Sequence, residues 1–233
     1  MPETIYTIPI NEAFDACIKE ETPCCPFCRL ERDLENNEID IILGASMMEP
    51  DIRIKTNKQG FCPSHFRKLA AHGKRLPLAL MLESHLNELQ SELIKKDRPV
   101  DPAKAVKRIN ELTSSCYVCS RMDYYYTRIL SNAVYMWTVD DDFKKKLQAQ
   151  KCFCTKHFSD FASAGAKQIP KKQFPDFYSG LGAVFASYFS DLSSDVSWFC
   201  KKFDYRYKDE PWNNAKDSVE RAVSFLSGEK IGD

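Results

Sequence analysis

Two short segments of this chain spell one pattern: FCPSHF at 61–66 and FCTKHF at 153–158. Each is a Cys-x-x-His set between two phenylalanines. Each also has a Cys-x-x-Cys upstream: Cys25-Pro-Phe-Cys28 before the first, Cys116-Tyr-Val-Cys119 before the second. Between Cys28 and Cys62 lie 33 residues, and between Cys119 and Cys154 lie 34. The agreement extends outward. KRLP (74–77) answers KQIP (167–170), and INEAFDACIKE before the first cysteine pair answers VKRINELTSS before the second. A chain written twice folds as two copies of one supersecondary unit, so the repeat sets the expected architecture.

Each copy reads as helix, Cys-x-x-Cys knuckle, helix, short helix, Cys-x-x-His, helix, long helix. Apolar residues keep helical spacing at Leu30, Leu34 and Ile41 in one copy, and at Met122, Tyr126, Ile129 and Met136 in the other. The closing helices carry Leu78, Leu82, Leu86, Leu89 and Leu93, and Phe174, Phe177, Leu181, Phe185 and Phe189, which read as core stripes. DIRIKTNKQG (51–60) alternates isoleucine with charge as a strand does. However, Pro50 suits a helix start, Gly60 suits a helix end, and its counterpart DDDFKKKLQAQK reads as helix. Helix is therefore expected there. The second copy continues into aromatic helix (Trp198, Phe199, Phe203) and a last helix with Val219, Ala222 and Leu226 on one face and Gly228 at its end. KKDRPVDP (95–102) reads as the linker. The expectation is an all-α fold of two tandem pseudo-repeats, 1–98 and 99–233, each closed by a Cys3His metal site.

Three thiols and one imidazole per copy are the ligand set of a tetrahedral zinc site. Thiolates supply soft donors, the imidazole trims the negative charge, and Zn2+ has no geometric preference that opposes the mixture. In FCPSHF the two ligands stand at i and i+3, on one face of a starting helix, and the flanking phenylalanines can wall the metal from water. The first-choice pairing is within each copy: Cys25, Cys28, Cys62 and His65, then Cys116, Cys119, Cys154 and His157. A swapped pairing across copies, giving one interlocked domain, is the alternative. Two Zn2+ are expected; iron or an iron–sulfur cluster ranks lower, since cluster ligands are usually four cysteines.

Four protein ligands per site leave no position for a catalytic water, so the zinc is expected to be structural. No Gly-rich phosphate loop and no Ser/His/Asp arrangement is present, and the reading is non-enzymatic. Cys17, Cys24, Cys152 and Cys200 are not needed as ligands. Cys24 and Cys152 adjoin ligand cysteines, which supports an alternative role as a redox- or metal-sensing thiol switch. His72 and His85 read as ordinary histidines. The Tyr124–Tyr126 run could stack on bases, and LGASMMEPD (43–51) is the best candidate loop for a protein partner.

Lys+Arg and Asp+Glu both total 33, so no global field draws in nucleic acid or an anionic membrane. The charge is uneven: residues 1–50 hold eleven acids and three bases, while 51–75 hold one acid and seven bases. Two faces that attract each other explain this better than a nucleic-acid patch. MPETIYTIPINEAF has no signal-peptide character, and LPLALML is too short to span a bilayer. A cytoplasmic location is expected, where thiols stay reduced.

CPFCRLE, LGASMMEPDIR, KQGFCPSHF and a PW near the C-terminus together resemble a bacterial family, mainly from Firmicutes, catalogued as domain of unknown function 6062. The resemblance covers nearly the whole chain. It implies a helical cytosolic protein and carries no activity with it.

Overall fold

The computed structural model describes residues 6–44, 48–96 and 98–228. It is helical almost throughout: α1 (Thr7–Lys19), α2 (Pro26–Ile42), α3 (Pro50–Gln59), α4 (Pro63–Ala71), α5 (Arg75–Leu93), α6 (Pro102–Thr113), α7 (Tyr117–Val139), α8 (Asp141–Gln148), α9 (Thr155–Gln168), α10 (Phe174–Lys201) and α11 (Ser218–Ser227). The only sheet among the described residues is a two-stranded antiparallel hairpin, β1 (Ile94–Lys95) and β2 (Arg98–Pro99). It occupies the expected linker.

The helix starts and stops follow from local chemistry. Asp101 and Asp140 cap α6 and α8, each side chain accepting from two amides of the first turn. Pro50 sits at the first position of α3 and Gly60 ends it with φ 59°, so DIRIKTNKQ is helix despite its alternation. Gly228 ends α11 in the left-handed region, its amide bonded to the Ser224 carbonyl. Both copies show the same helix order, α1–α5 and α6–α10. Cys62 and Cys154 are the residues preceding α4 and α9, with φ/ψ of −70°/163° and −69°/164°.

The chain divides into two compact units. The first comprises residues 1–31 and 127–233, the second 32–126. The boundaries fall inside α2 and α7, so this division by contact differs from the sequence division at residue 98. In the first unit α10 packs with α8, α9 and α11, and α1 packs with α8. Its core is aromatic: Phe14, Phe27, Phe143, Phe153, Phe161 and Phe177 are all fully buried. Phe14 meets Phe27 edge-on at 5.6 Å, and Phe161 meets Phe27 at 4.9 Å and Phe177 at 5.0 Å. Gly165 on α9 makes room for Phe177, since a Cβ there would stand 2.3 Å from the ring. In the second unit α3 packs with α5 and α6, and α4 with α5. Its core is aliphatic: Ile39, Ile42, Leu43, Leu69 and Met81 pack with Cys116, Tyr117 and Val118.

Some expected stripes lie elsewhere. Of α5 only Met81 is buried and Leu86 is 63% exposed. Steps of four residues drift about 40° round a helix, so Leu78, Leu82 and Leu86 leave the covered side in turn. On α2 the core positions are Leu30, Ile39 and Ile42, and Ile41 is exposed. On α11 Ser218 and Phe225 face inward and Val219 and Leu226 outward, because the larger aromatic takes the buried side. Trp198 and Phe199 are not on a separate helix but continue α10.

Candidate metal centres

The eight expected ligands form two groups, and each group draws its pairs from different copies. Cys25, Cys28, Cys154 and His157 meet in the first unit. Cys62, His65, Cys116 and Cys119 meet in the second. The first-choice pairing within each copy is therefore corrected to the swapped one. The reason is topological. A Cys-x-x-Cys at the start of α2 or α7 stays in the unit where that helix begins, whereas the Cys-x-x-His that follows lies in the unit where the helix ends.

In the second unit, His65 Nδ1 lies 3.1 Å from Cys62 Sγ, 3.2 Å from Cys116 Sγ and 3.5 Å from Cys119 Sγ; Cys62 and Cys119 Sγ are 3.9 Å apart. In the first unit, His157 Nδ1 lies 3.1 Å from Cys154 Sγ, 3.2 Å from Cys28 Sγ and 3.5 Å from Cys25 Sγ; Cys28 and Cys154 Sγ are 3.6 Å apart. Metal–sulfur bonds of about 2.3 Å and metal–nitrogen bonds of about 2.0 Å give tetrahedral edges of roughly 3.5–3.8 Å. The observed edges bracket that range, so each group fits one small tetrahedral ion.

The local fold aims these atoms. Cys62 and His65 begin α4 at i and i+3, and Cys154 and His157 begin α9 in the same way. Gly60 bends the chain into the Cys62 turn, and its carbonyl accepts from the Tyr117 amide at 3.0 Å, tying the Cys-x-x-His to the facing knuckle. No side chain fits at Gly60: its φ is positive and a Cβ would stand 2.7 Å from Leu112. The Cys119 amide donates to Cys116 Sγ at 3.5 Å.

Two residues that sequence reasoning missed complete the groups. His65 Nε2 lies 2.9 Å from Glu35 Oε1, and His157 Nε2 lies 3.0 Å from Glu31 Oε2. Lys68 holds the other oxygen of Glu35, and Lys156 the other oxygen of Glu31 at 2.5 Å. A carboxylate on Nε2 sets the ring orientation and leaves Nδ1 toward the sulfurs, the arrangement found behind metal-bound histidines. The available signal was the pair of glutamates on α2, three and seven positions after Cys28. The corresponding positions after Cys119 are Met122 and Tyr126, so the repeat itself did not flag them.

The electrostatics show why these groups suit a cation. His65 is pushed up to about 10 by Cys116 and Glu35. Burial works to raise Cys116, but His65 and the nearby amides outweigh it and hold the thiol down to about 6. Burial and Cys116 push Cys119 up to about 12. In the other group Cys25 and Cys28 hold Cys154 far below the usual thiol range, while Cys154 and Cys25 drive Cys28 far above it. Burial works to lower His157, yet Cys154 and Cys25 bring it up to about 11. Sulfurs this close cannot all ionise, and a divalent cation removes that conflict.

The phenylalanine walls differ. Phe153 is fully buried, and Phe27 stands 5.9 Å from the His157 ring. Phe158 instead stacks on Phe185 of α10 at 4.2 Å. Phe61 is half-buried and meets Phe66 edge-on at 5.5 Å, and Phe66 is 36% exposed.

The remaining residues fall into place. Cys17 and Cys152 are buried, Cys24 is half-buried, Cys200 is exposed, and all ten cysteines are free. His72 pairs with Asp40 at 3.0 Å, and His85 is half-buried on α5. Two of the bases in 51–75, Lys68 and Lys74, pair with Glu35 and Asp40, as expected of attracting faces. Tyr125 lies under the Arg121 guanidinium, 4.6 Å from its ring centre. Of the proposed partner loop, Ala45, Ser46 and Met47 lie outside the described residues, and Met48 is exposed. No helix among the described residues is long and apolar enough to cross a membrane.

The chain is helical almost throughout and holds two Cys3His groups that could bind a metal ion, each with a glutamate beside its histidine. It belongs to a family of unknown function, DUF6062, whose model matches residues 1–233. No curated protein and no solved structure matches it.

Proposed function

We propose that this protein is a non-enzymatic zinc-binding scaffold of the cytoplasm that serves protein interaction or regulation, with zinc bound by Cys25, Cys28, Cys154 and His157 and by Cys62, His65, Cys116 and Cys119. The observation that carries the reading is the coincidence, twice, of three sulfurs and one Nδ1 at tetrahedral spacing with a glutamate on the opposite ring nitrogen. Zinc is favoured over iron because a mixed sulfur and nitrogen set suits a tetrahedral d10 ion. Four protein ligands close the coordination shell, so the metal supplies fold stability, on the order of 10 kcal/mol per site. Ten free thiols accord with a reducing compartment. Elemental analysis of the purified chain tests this: about two zinc per chain are expected, and fewer than about one, with no cluster absorbance, removes the reading.

A second reading, a thiol switch, is favoured by the place of two spare cysteines. Cys24 adjoins the ligand Cys25 in the chain, and Cys152 stands two residues before the ligand Cys154. A hydroperoxide would oxidise a ligand thiolate such as Cys25 or Cys154 to the sulfenic acid, being itself reduced to the alcohol, and a neighbouring spare thiol would condense with it to a disulfide, releasing water and removing that sulfur from the zinc. Peroxide should release zinc from the first unit. Equal release from a chain carrying Cys24→Ser and Cys152→Ser sinks the idea.

A further inference from the structure

The two groups share ligand chemistry but differ in their cover. His157 and Cys154 are 0% and 1% exposed, and three of the four ligands of that group are buried. The end of α11 lies on it. Cys28 Sγ lies 3.4 Å from the Gly228 carbonyl oxygen, and a Cβ on Gly228 would stand 3.6 Å from Cys154 Sγ, so the end of α11 packs directly over two of the sulfurs. Thr155, the residue after Cys154, donates to the Phe225 and Leu226 carbonyls at 3.2 and 3.0 Å. Phe225 anchors the helix among Phe185, Tyr188 and Phe189. In the second unit, Cys62 and Cys119 are both half-buried, and their sulfurs stand 3.9 Å apart, against 3.6 Å between Cys28 and Cys154 in the first.

Metal leaves a closed tetrahedral site when an incoming donor adds as a fifth ligand and a protein ligand departs. The rate is set by whether a donor can reach a ligand edge. Building on the zinc reading above, we infer that the group of Cys62, His65, Cys116 and Cys119 exchanges its zinc with soft-donor acceptors such as a thiolate, entering over the Cys62–Cys119 edge, whereas α11 seals the zinc of the other group in place. The exchange would be a stepwise ligand substitution: acceptor thiolate–zinc bonds would form as the bonds from Cys119, then Cys62, Cys116 and His65, break, the freed thiolates would take up protons from water, and no electron would be transferred. One zinc is then a permanent part of the fold and the other is conditional on the acceptors around it. The second unit, whose aliphatic core packs onto Cys116 itself, responds to that loss.

The experiment follows zinc transfer from the zinc-loaded full chain to the chromophoric chelator 4-(2-pyridylazo)resorcinol, and separately to glutathione. Two phases of about one zinc each are expected, differing in rate by roughly tenfold or more, the scale of removing one or two hydrogen bonds from a cover. Cys119→Ser should abolish the fast phase alone. Thr155→Val and Phe225→Ala should each accelerate the slow phase by about tenfold and leave the fast phase unchanged. Equal rates for both zincs overturn the inference, as does a slow phase that disappears with Cys119→Ser or ignores both α11 variants. A chain that takes up no zinc overturns the zinc reading as well, which separates the two failures.

Discussion

The two units solve one construction problem with different materials. The unit of residues 1–31 and 127–233 buries six phenylalanines completely, and its Cys/His group lies among them beneath α11. Among the described residues of the 32–126 unit, no phenylalanine is fully buried. Ile42, Leu43 and Leu69 are its most buried large residues, and its Cys/His group forms part of the core cluster. A fully buried phenylalanine contributes about 2–3 kcal/mol. The first unit therefore has a large aromatic core around its Cys/His group. The second has a thin core in which the sulfurs are themselves packing atoms. Zinc at these groups would reinforce a core in one unit and complete one in the other.

Metal removal is the strongest way to break this comparison. After exhaustive chelation the second unit should lose amide protection first, with a stability loss on the order of 10 kcal/mol, while α9 and α10 retain theirs. Hydrogen exchange read by mass spectrometry resolves the two, and simultaneous loss would show that the phenylalanine core does not stand alone. Next in size, Phe161→Ala should cost the first unit about 3–5 kcal/mol by opening a cavity against Phe27 and Phe177. Its effect on protection in α3–α5 should be small.

In the second unit the counterpart is electrostatic. Glu38 is 2% exposed and held by Arg121 through both guanidinium contacts, at 3.0 and 3.2 Å. Arg121→Ala leaves that carboxylate buried and unpaired, and should destabilise the unit by about 3 kcal/mol in chemical denaturation. An unchanged midpoint would mean the ion pair is not part of the unit's stability. Smaller still, Glu35→Gln and Glu31→Gln should each weaken zinc binding at their own site by roughly 10- to 100-fold in chelator competition. Both glutamates are held below the ordinary carboxylate range, Glu35 chiefly by His65 and Glu31 by His157 and Lys156 against the cost of burial. Their charged form is the one bound in the fold. The stability they contribute is present above the ordinary carboxylate pKa and is lost as pH falls through the depressed values. Equal affinity in the glutamine variants would reduce the two glutamates to bystanders.

Much of the architecture is legible in the residues. Spacing shows the helix order, Pro50 and Gly60 mark α3, Gly228 marks the end of α11, and eight cysteines and histidines announce themselves by recurrence. The register of individual helices is less legible. Leu86 and Val219 read as core and lie outside, because a helix buries only the side its neighbours reach and periodicity does not say which side that is. Glu31 and Glu35 pass unnoticed, since carboxylates on a helix surface are ordinary until a histidine is seen behind them.

The division of information follows from this. Ligand identity is local chemistry: donor atoms three positions apart at a helix start reach one point whatever the rest of the chain does. That much the sequence determined alone. Which pair meets which is not local. Two similarly patterned halves offer the same donor types, so either Cys-x-x-Cys could complete either Cys-x-x-His. The choice falls to where α2 and α7 carry the chain between their ends, and only the tertiary structure decides that. It also decides which group is covered. Nothing in FCTKHF or FCPSHF states that the carbonyl of Gly228, more than seventy residues beyond the last cysteine-histidine pair, closes over one of them.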